Sequence, residues 1–429
     1  MFRCPSTVRK RLDGTLCATT IAASVLGALL LGSVGAAHAA LPTPACTKVA
    51  GLTELQSPAG FRAFVSGLLP GDVGCLPPGN YGAVNERFVM SVKAPGPPIT
   101  LRAQSYANKP RIVGQLLLAG NAITVSGLIL DGPAGCEPSL PPPCRQMAPL
   151  VVNGNNVEVN RSEVKDSQSN EGIHVGNLLG APPPFNVRLL SNYVHDNGLR
   201  SDPKRANVDH GINWVQGSGL IANSVIADNY AYGVHLAPYA KNVRVTQNTI
   251  VGHGRSGVII ADCDPNEKFE GLNCATAAGV DVATNNLVDN NIVASNCKDR
   301  AFSRFCGAGV ASFLLESKGN GNRVRNNLFF HNYSRKSDQA CDGRPRCKPK
   351  GPRGLAFSGN MNRNPMFVGG SKSKGAARFV LRARSPAIGR VVVPSSAALK
   401  AGDFGARKRP SPKGTRADLG ALESKRGPS

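Results

Sequence analysis

Between Phe185 and Asp262 the chain repeats itself, and that repeat limits the folds open to it. NVRLLSNYVHDNG is followed by DHGINWVQGSGLIANSVIADNYAYGVHLAPYAKNVRVTQNTIVGHGRSGVIIAD. Each unit carries a Gly-aliphatic-X-apolar run, a turn, a second short apolar run, an Asn or Ser, an aliphatic pair, and a further Asn or His five residues on. Ser224 and Asn248 hold equivalent places 24 residues apart, and Asn192, Asn291 and Asn327 take that place in units with longer loops. A repeat of this length, built from short β-type runs, predicts a solenoid.

Strands of a few residues cannot bury an apolar face alone, so successive turns of chain must stack as parallel strands about 4.8 Å apart. Val194, Ile226, Ile250, Val293 and Phe329 then form one interior column. A stacked Asn at each bend can bond to the coils above and below, which makes the recurring Asn structural rather than catalytic. The expected class is all-β.

This pattern resembles the right-handed parallel β-helix proteins of the pectate lyase-like superfamily, which includes polysaccharide lyases, polygalacturonases and alginate epimerases. GDVGCLPPGNYG, PITLRAQ and VSGLILDG are similar to the first coils of chondroitinase B-like and related proteins. NPMF, FVLRARSPAIG, DFGARKRP and DLGALE are similar to the C-terminal segment of many bacterial β-helix proteins. The resemblance spans about Gly71 to Glu423 and speaks for fold more than for function. Asp202-Pro203-Lys204, with Asp209-His210 after it, is near the Asp-Pro-His motif of alginate epimerases but has its His displaced. Gly252-His253-Gly254 resembles a polygalacturonase fragment, yet that family's paired-Asp and Arg-Ile-Lys motifs are absent, as is the Lys and Arg setting of chondroitinase B-like lyases.

Residues 1–40 carry Arg3, Arg9, Lys10 and Arg11, an apolar stretch around Ile21–Leu31 and Ala37-His38-Ala39, the arrangement of a secretory signal with a small-residue cleavage site. The apolar stretch is also long enough for an uncleaved anchor. Ser57 as N-cap, Pro58 as first residue and Phe61, Phe64, Val65 and Leu68 on one side predict a short helix within 41–70 that caps the solenoid end. Coils are expected over 71–362, and 363–429 reads as an irregular C-terminal segment with a disordered basic tail. Ten cysteines lie beyond the signal. Cys136 with Cys144, Cys263 with Cys274, Cys297 with Cys306 and Cys341 with Cys347 bracket insertions, and Cys46 and Cys75 remain for the N-terminal segment. As disulfides of a secreted, extracellular or periplasmic protein, each would contribute about 2–3 kcal/mol. Their spacing lacks the C-x-x-C of a zinc site.

Removing residues 1–40 leaves 46 basic against 26 acidic residues, a formal charge of +20. With export, and with no aromatic-interleaved basic motif, this points to an acidic polysaccharide as partner rather than nucleic acid or membrane, for a soluble monomer. The alternative is solvated basic loops at Arg335–Arg353 and Arg407–Arg426.

Aligning EGIHV, HGINW, YGVHL, SGVII, AGVDV and AGVAS places one residue per coil outward: His174, Asn213, His235, Ile259, Asp281 and Ala311. Beside that file fall Asp209, His210, Tyr232, Tyr239, Lys241 and Arg255. Four of the six His beyond the signal lie between Glu171 and Leu236. On a polyuronate, Lys241 and Arg255, or a bound cation such as Ca2+, would neutralise the carboxylate. His210 or His235, with Asp209, would take the C5 proton, and Tyr232 would protonate the leaving oxygen. His174, Asn213, Tyr239 and Asp281 would bind substrate. A hydrolase would instead use a carboxylate pair such as Asp262 and Asp281. A non-catalytic glycan-binding surface is the third reading, in which the His are ordinary polar residues and His195 and His253 occupy or adjoin the Asn ladder.

Overall fold

The computed structural model describes residues 44–51, 57–91, 95–132, 148–167, 171–176, 182–198, 209–262, 268–269, 272–273, 283–298, 309–313, 320–332, 355–369, 375–392, 394–409 and 415–424. All fall within one compact unit, Ala40–Ser429. The expected signal lies outside the described residues.

Each coil contributes strands to three parallel faces, and every face is in register from coil to coil. On the first face, Ile173–Val175 pairs with the start of Ile212–Ala222, which pairs with the start of Val234–Thr246, then Val258–Ala261 and Val310–Phe313. The second face runs through Val187–Leu190, the ends of those two long strands, Leu287–Asp289 and Arg323–Arg325. The third is built from Tyr193–His195, Val225–Ala227, Thr249–Val251, Ile292–Ala294 and Leu328–Phe330. This is a right-handed parallel β-helix. The predicted column exists: Val194, Ile226, Ile250, Val293 and Phe329 align rung by rung, each at most 2% exposed.

Two ladders of side chains bind the coils at their corners. Asn192 Oδ1 accepts from Ser162 N, Ser224 Oγ from Asn192 N and Asn248 Oδ1 from Ser224 N. The series continues through Asn291, Asn327 and Asn360, each bond 2.9–3.1 Å. The second ladder, five residues on, passes through Asn197, Asn229, His253, Asn296 and Asn332. The residue before each rung turns through a left-handed conformation, as at Asn223 (φ 54°), Gln247 (φ 55°) and Asn290 (φ 58°). The corner therefore opens backbone donors that the next coil's side chain must accept.

The N-terminal end is closed as the capping signals predict. Helix Pro58–Ser66 starts at Ser57, whose Oγ accepts from Gly60 N at 3.0 Å. Phe61 and Val65 enter the core, with the Phe61 ring 4.7 Å from that of Phe88. The Cys46–Cys75 disulfide ties the preceding segment to the first coil. Cys297 is also disulfide-bonded. Cys136, Cys144, Cys263, Cys274, Cys306, Cys341 and Cys347 lie outside the described residues.

The C-terminal segment differs from a loose tail through most of its described length. The outward residues Val225, Ala227, Val251, Ile292, Ala294 and Leu328 make the third face apolar on both sides, and Phe379, Leu381, Val391, Leu419 and Leu422 cover it. Arg409 and Glu423, both fully buried, pair at 2.8 Å, and Arg409 also donates to the carbonyls of Asp418 and Gly420. An apolar outer face would otherwise stay in water, which explains why this segment is ordered. The final residues, 425–429, lie outside the described set.

Candidate functional site

The Gly-aliphatic-X-apolar runs build the candidate site because strand alternation sends the flanking aliphatics inward and X outward. Ile173, Val175, Ile212, Trp214, Val234 and Leu236 lie in the main core. The register aligns His174 with Asn213, Asn213 with His235, His235 with Ile259, and Ile259 directly with Ala311. Asp281 therefore has no step in this file, contrary to the sequence alignment. AGVDV falls in the insertion between Val258–Ala261 and Leu287–Asp289, and Asp281 lies outside the described residues.

A second correction concerns exposure. The file is outward from the core but not open: His174 and His235 are 6% exposed, and Asp209, His210 and Asn213 are fully buried. Tyr232, Ala237, Ile259, Ala261 and Ala311 form a small apolar cluster on this outer side, so the polar groups sit against packed side chains.

Within it, Asn213, His235, His210, Tyr232 and Arg255 come together. His235 Nδ1 lies 3.0 Å from Asn213 Oδ1. With the amide oxygen accepting, Nδ1 carries the proton and the imidazole lone pair is on Nε2. The amide nitrogen of Asn213 is buried and has no hydrogen-bond partner among the described residues. The His210 and His235 rings are 4.4 Å apart, and His210 Nδ1 is 3.5 Å from Tyr232 N. Tyr232 lies nearly parallel to His235, at 13° and 5.8 Å between centroids. Arg255 reaches over it, its guanidinium carbon 5.3 Å from the ring and Nη1 donating to the phenol oxygen at 3.3 Å. Burial, with the Arg255 charge beside it, pushes His235 down to about 3. His235, which the sequence offers as a base, is therefore a neutral imidazole at pH 7.

The remaining sequence candidates sit elsewhere or in other company. Tyr239 and Lys241 are further along Val234–Thr246, beyond Pro238, beside Gln216 and Thr284 respectively. Tyr239 is half-buried, and burial raises its phenol. His253 is a rung of the second ladder, as one sequence reading has it, and accepts from Asn229 N at 3.1 Å. His195 adjoins that ladder, stacked on Tyr193 and held between Asp196 (2.7 Å) and Glu163 (3.1 Å). Asp262 Oδ1 accepts from Ala283 N, 21 residues on, at 3.2 Å.

Sequence reasoning did not single out Glu171, whose carboxylate meets His174 Nδ1 at 2.6 Å. Its signal was the spacing Glu171-Gly-Ile-His174 within one unit. Among the described residues no three His, Cys, Asp or Glu side chains gather as a metal site. Arg255 is the cation at this place. No helix among the described residues is long and apolar enough to cross a membrane.

No protein-family model and no curated protein matches the chain. Among solved structures it is similar in path to pectate lyase Pel9A, at 14% identity over 85% of this chain and 90% of that one, with a TM-score of 0.44. It is similar to an alginate lyase from Paenibacillus sp. str. FPU-7 at 12% identity over 74% and 98%, TM-score 0.42. A third is the A-module of the Azotobacter vinelandii mannuronan C-5 epimerase AlgE4, at 11% identity over 71% and 90%, TM-score 0.31. Likeness at this level carries nothing about substrate. The strand register itself identifies the chain as a right-handed parallel β-helix repeat protein, without placing it in any one enzyme family of that fold.

Proposed function

We propose that the protein acts on an acidic, uronic acid-containing polysaccharide by abstracting the C5 proton, as a lyase or an epimerase. The observation that carries this reading is the grouping of a neutral His235, oriented by Asn213, with Tyr232 and Arg255. Arg255 would neutralise the uronate carboxylate, which acidifies the C5 proton. His235 Nε2 would accept that proton. An imidazole held at about 3 is a weak base, and a uronate anion bound beside it raises its affinity for the proton. The phenol of Tyr232 accepts from Arg255 and so keeps its own hydrogen to give. In elimination the C5–H electrons form the C4–C5 double bond, the C4–O bond breaks, and the leaving oxygen takes the Tyr232 proton. In epimerisation the carbanion is reprotonated from the opposite face. The formal charge of +23 on the chain favours encounter with a polyanion.

The test is ultraviolet absorbance at about 235 nm, where the unsaturated product absorbs, on alginate, pectate and glycosaminoglycan, together with a polymer-composition assay for epimerisation. Turnover that survives replacement of His210 and His235 together by Ala refutes the assignment. A second reading, a non-catalytic glycan-binding solenoid, draws support from the complete burial of Asp209, His210 and Asn213. It predicts saturable binding with no product. The polygalacturonase-like alternative would pair Asp262 with Asp281, which lies outside the described residues, and a reducing-end assay on the same samples tests it.

A further inference from the structure

The second face carries a row of charge along the solenoid axis that the His235 file does not use. Leu189, Ile221, Val245, Val288 and Val324 of its strands lie in the main core, so the residue before each of them points outward. The register aligns Arg188 with Leu220, Leu220 with Arg244, Arg244 with Leu287, and Leu287 with Arg323. Arginine and leucine therefore alternate from rung to rung. At about 4.8 Å per rung, successive arginines stand about 9.6 Å apart on a line about 19 Å long.

The row is braced and reachable. Asp289, fully buried, accepts from Arg244 Nε at 3.0 Å and from Nη2 at 2.7 Å, and lies 3.8 Å from Arg325 on the adjacent coil. Glu158, one coil earlier, faces Arg188 at 3.3 Å. A guanidinium carries five N–H donors in a rigid fork, so this single carboxylate leaves Arg188, 37% exposed, with donors to offer. Arg323 is exposed and makes no ion pair. With Asp289 shared by two arginines and Arg323 unmatched, the row keeps positive charge. The intervening Leu220 and Leu287 are half-buried. Leu220 leans on Leu190, Ala222 and Ala398, which brings the C-terminal helix Ser396–Ala401 to one flank.

Evenly spaced charges on a rigid sheet fit a polymer that repeats its own charge along an extended axis. An anionic polysaccharide does so, and two rungs are close to the length of two sugars in an extended chain. The C–H faces of alternate rings then rest on Leu220 and Leu287. The row holds no aromatic side chain on which a nucleobase could stack, unlike a surface for single-stranded nucleic acid.

We infer that the second face binds an extended anionic polysaccharide along the solenoid axis, with Arg188, Arg244 and Arg323 pairing with its carboxylates or sulfates on alternate rungs. The inference rests on the proposed function for the class of polymer and not on proton abstraction at the His235 file.

The test is surface plasmon resonance of the full chain over immobilised alginate, pectate and chondroitin sulfate, with free hexamers and dimers of each as competitors. Arg188→Ala/Arg323→Ala is the variant, since both side chains reach the surface. Arg62→Ala/Arg382→Ala removes the same charge outside the row, from the capping helix and the C-terminal segment. Thermal melts confirm that both fold. The row variant should bind at least about tenfold more weakly than the parent and lose affinity less steeply with salt, while the charge-matched control binds like the parent. Hexamers should compete far better than dimers. The polymer preferred tells carboxylate from sulfate. The inference is overturned if the row variant and the control bind alike, if dimers compete as well as hexamers, or if single-stranded DNA of equal charge displaces the polymer more effectively than the hexamers do. Binding that is unchanged in the row variant refutes this inference alone, whereas no binding to any of the polymers refutes the proposed function with it.

Discussion

Replacing His253 by Asn should make the protein more resistant to acid without weakening it at neutral pH. His253 stands in a ladder whose other rungs are Asn197, Asn229, Asn296 and Asn332, and it does their work by accepting from Asn229 N through Nδ1. It is fully buried, and burial pushes its imidazole down to about 4. In the unfolded chain the same group titrates near about 6.5. Between those values the unfolded chain binds a proton that the folded chain refuses, so stability falls as pH drops through this window. At pH 4.5 the difference is about two units, or about 3 kcal/mol at 1.4 kcal/mol per unit. Asn accepts the same backbone hydrogen bond and has no proton to gain. Unfolding free energies of the parent and His253→Asn from urea titration should agree within about 1 kcal/mol at pH 7 and differ by about 2–3 kcal/mol in favour of Asn at pH 4.5. Parallel acid limbs for the two proteins would refute the reasoning.

Other outcomes follow from the same structure. Asn291→Ala strips a buried acceptor from Asn248 N and a buried donor from Val245 O, and should cost about 2–5 kcal/mol, read as a lower urea midpoint and faster amide exchange at Asn248. Ser57→Ala should cost about 1 kcal/mol through loss of the helix cap, measured by thermal melting. His195 works in the opposite pH direction to His253: burial lowers it, but Asp196 and Glu163 together outweigh burial and raise it. Its contribution is complete below about pH 6.5 and is lost as pH rises through the raised folded value, so His195→Gln should flatten that alkaline slope in stability. Glu423→Gln leaves the buried Arg409 charge without its partner and should cost about 3–5 kcal/mol in the same melts.

The coil architecture was legible because its determinants are local and repeated. Val194, Ile226, Ile250, Val293 and Phe329 could be aligned by counting from each Asn, and the helix start at Ser57-Pro58 is written in two adjacent residues. The outward file was legible as far as Ile259 for the same reason. It stops short of Asp281 because AGVDV has the spacing of a rung, yet Ile259 pairs directly with Ala311, and composition alone does not tell which copy of the pattern supplies the next rung. Exposure was misjudged for a different reason. Alternation tells which side of a strand a residue takes, not what packs on that side, and Tyr232, just before its strand, closes over the file together with Ala237, Ile259, Ala261 and Ala311. The arginine row of the second face is written in Arg188, Arg244 and Arg323, each four residues before a ladder Asn, but a chain-wide count of charge hides so local an alignment. The covering of the third face could have been suspected from TIV, VIA and IVA, whose outward positions are as apolar as their inward ones.

The most direct test of the functional account is proton NMR of a polyuronate incubated with the protein in D2O. The account predicts loss of the sugar H5 signal, accompanied either by a new vinylic H4 resonance or by deuterium at an inverted C5, and no such loss with the His210→Ala/His235→Ala chain. An H5 signal that stays undiminished on alginate, pectate and glycosaminoglycan alike, while the polymer binds, would contradict it and leave a glycan-binding solenoid.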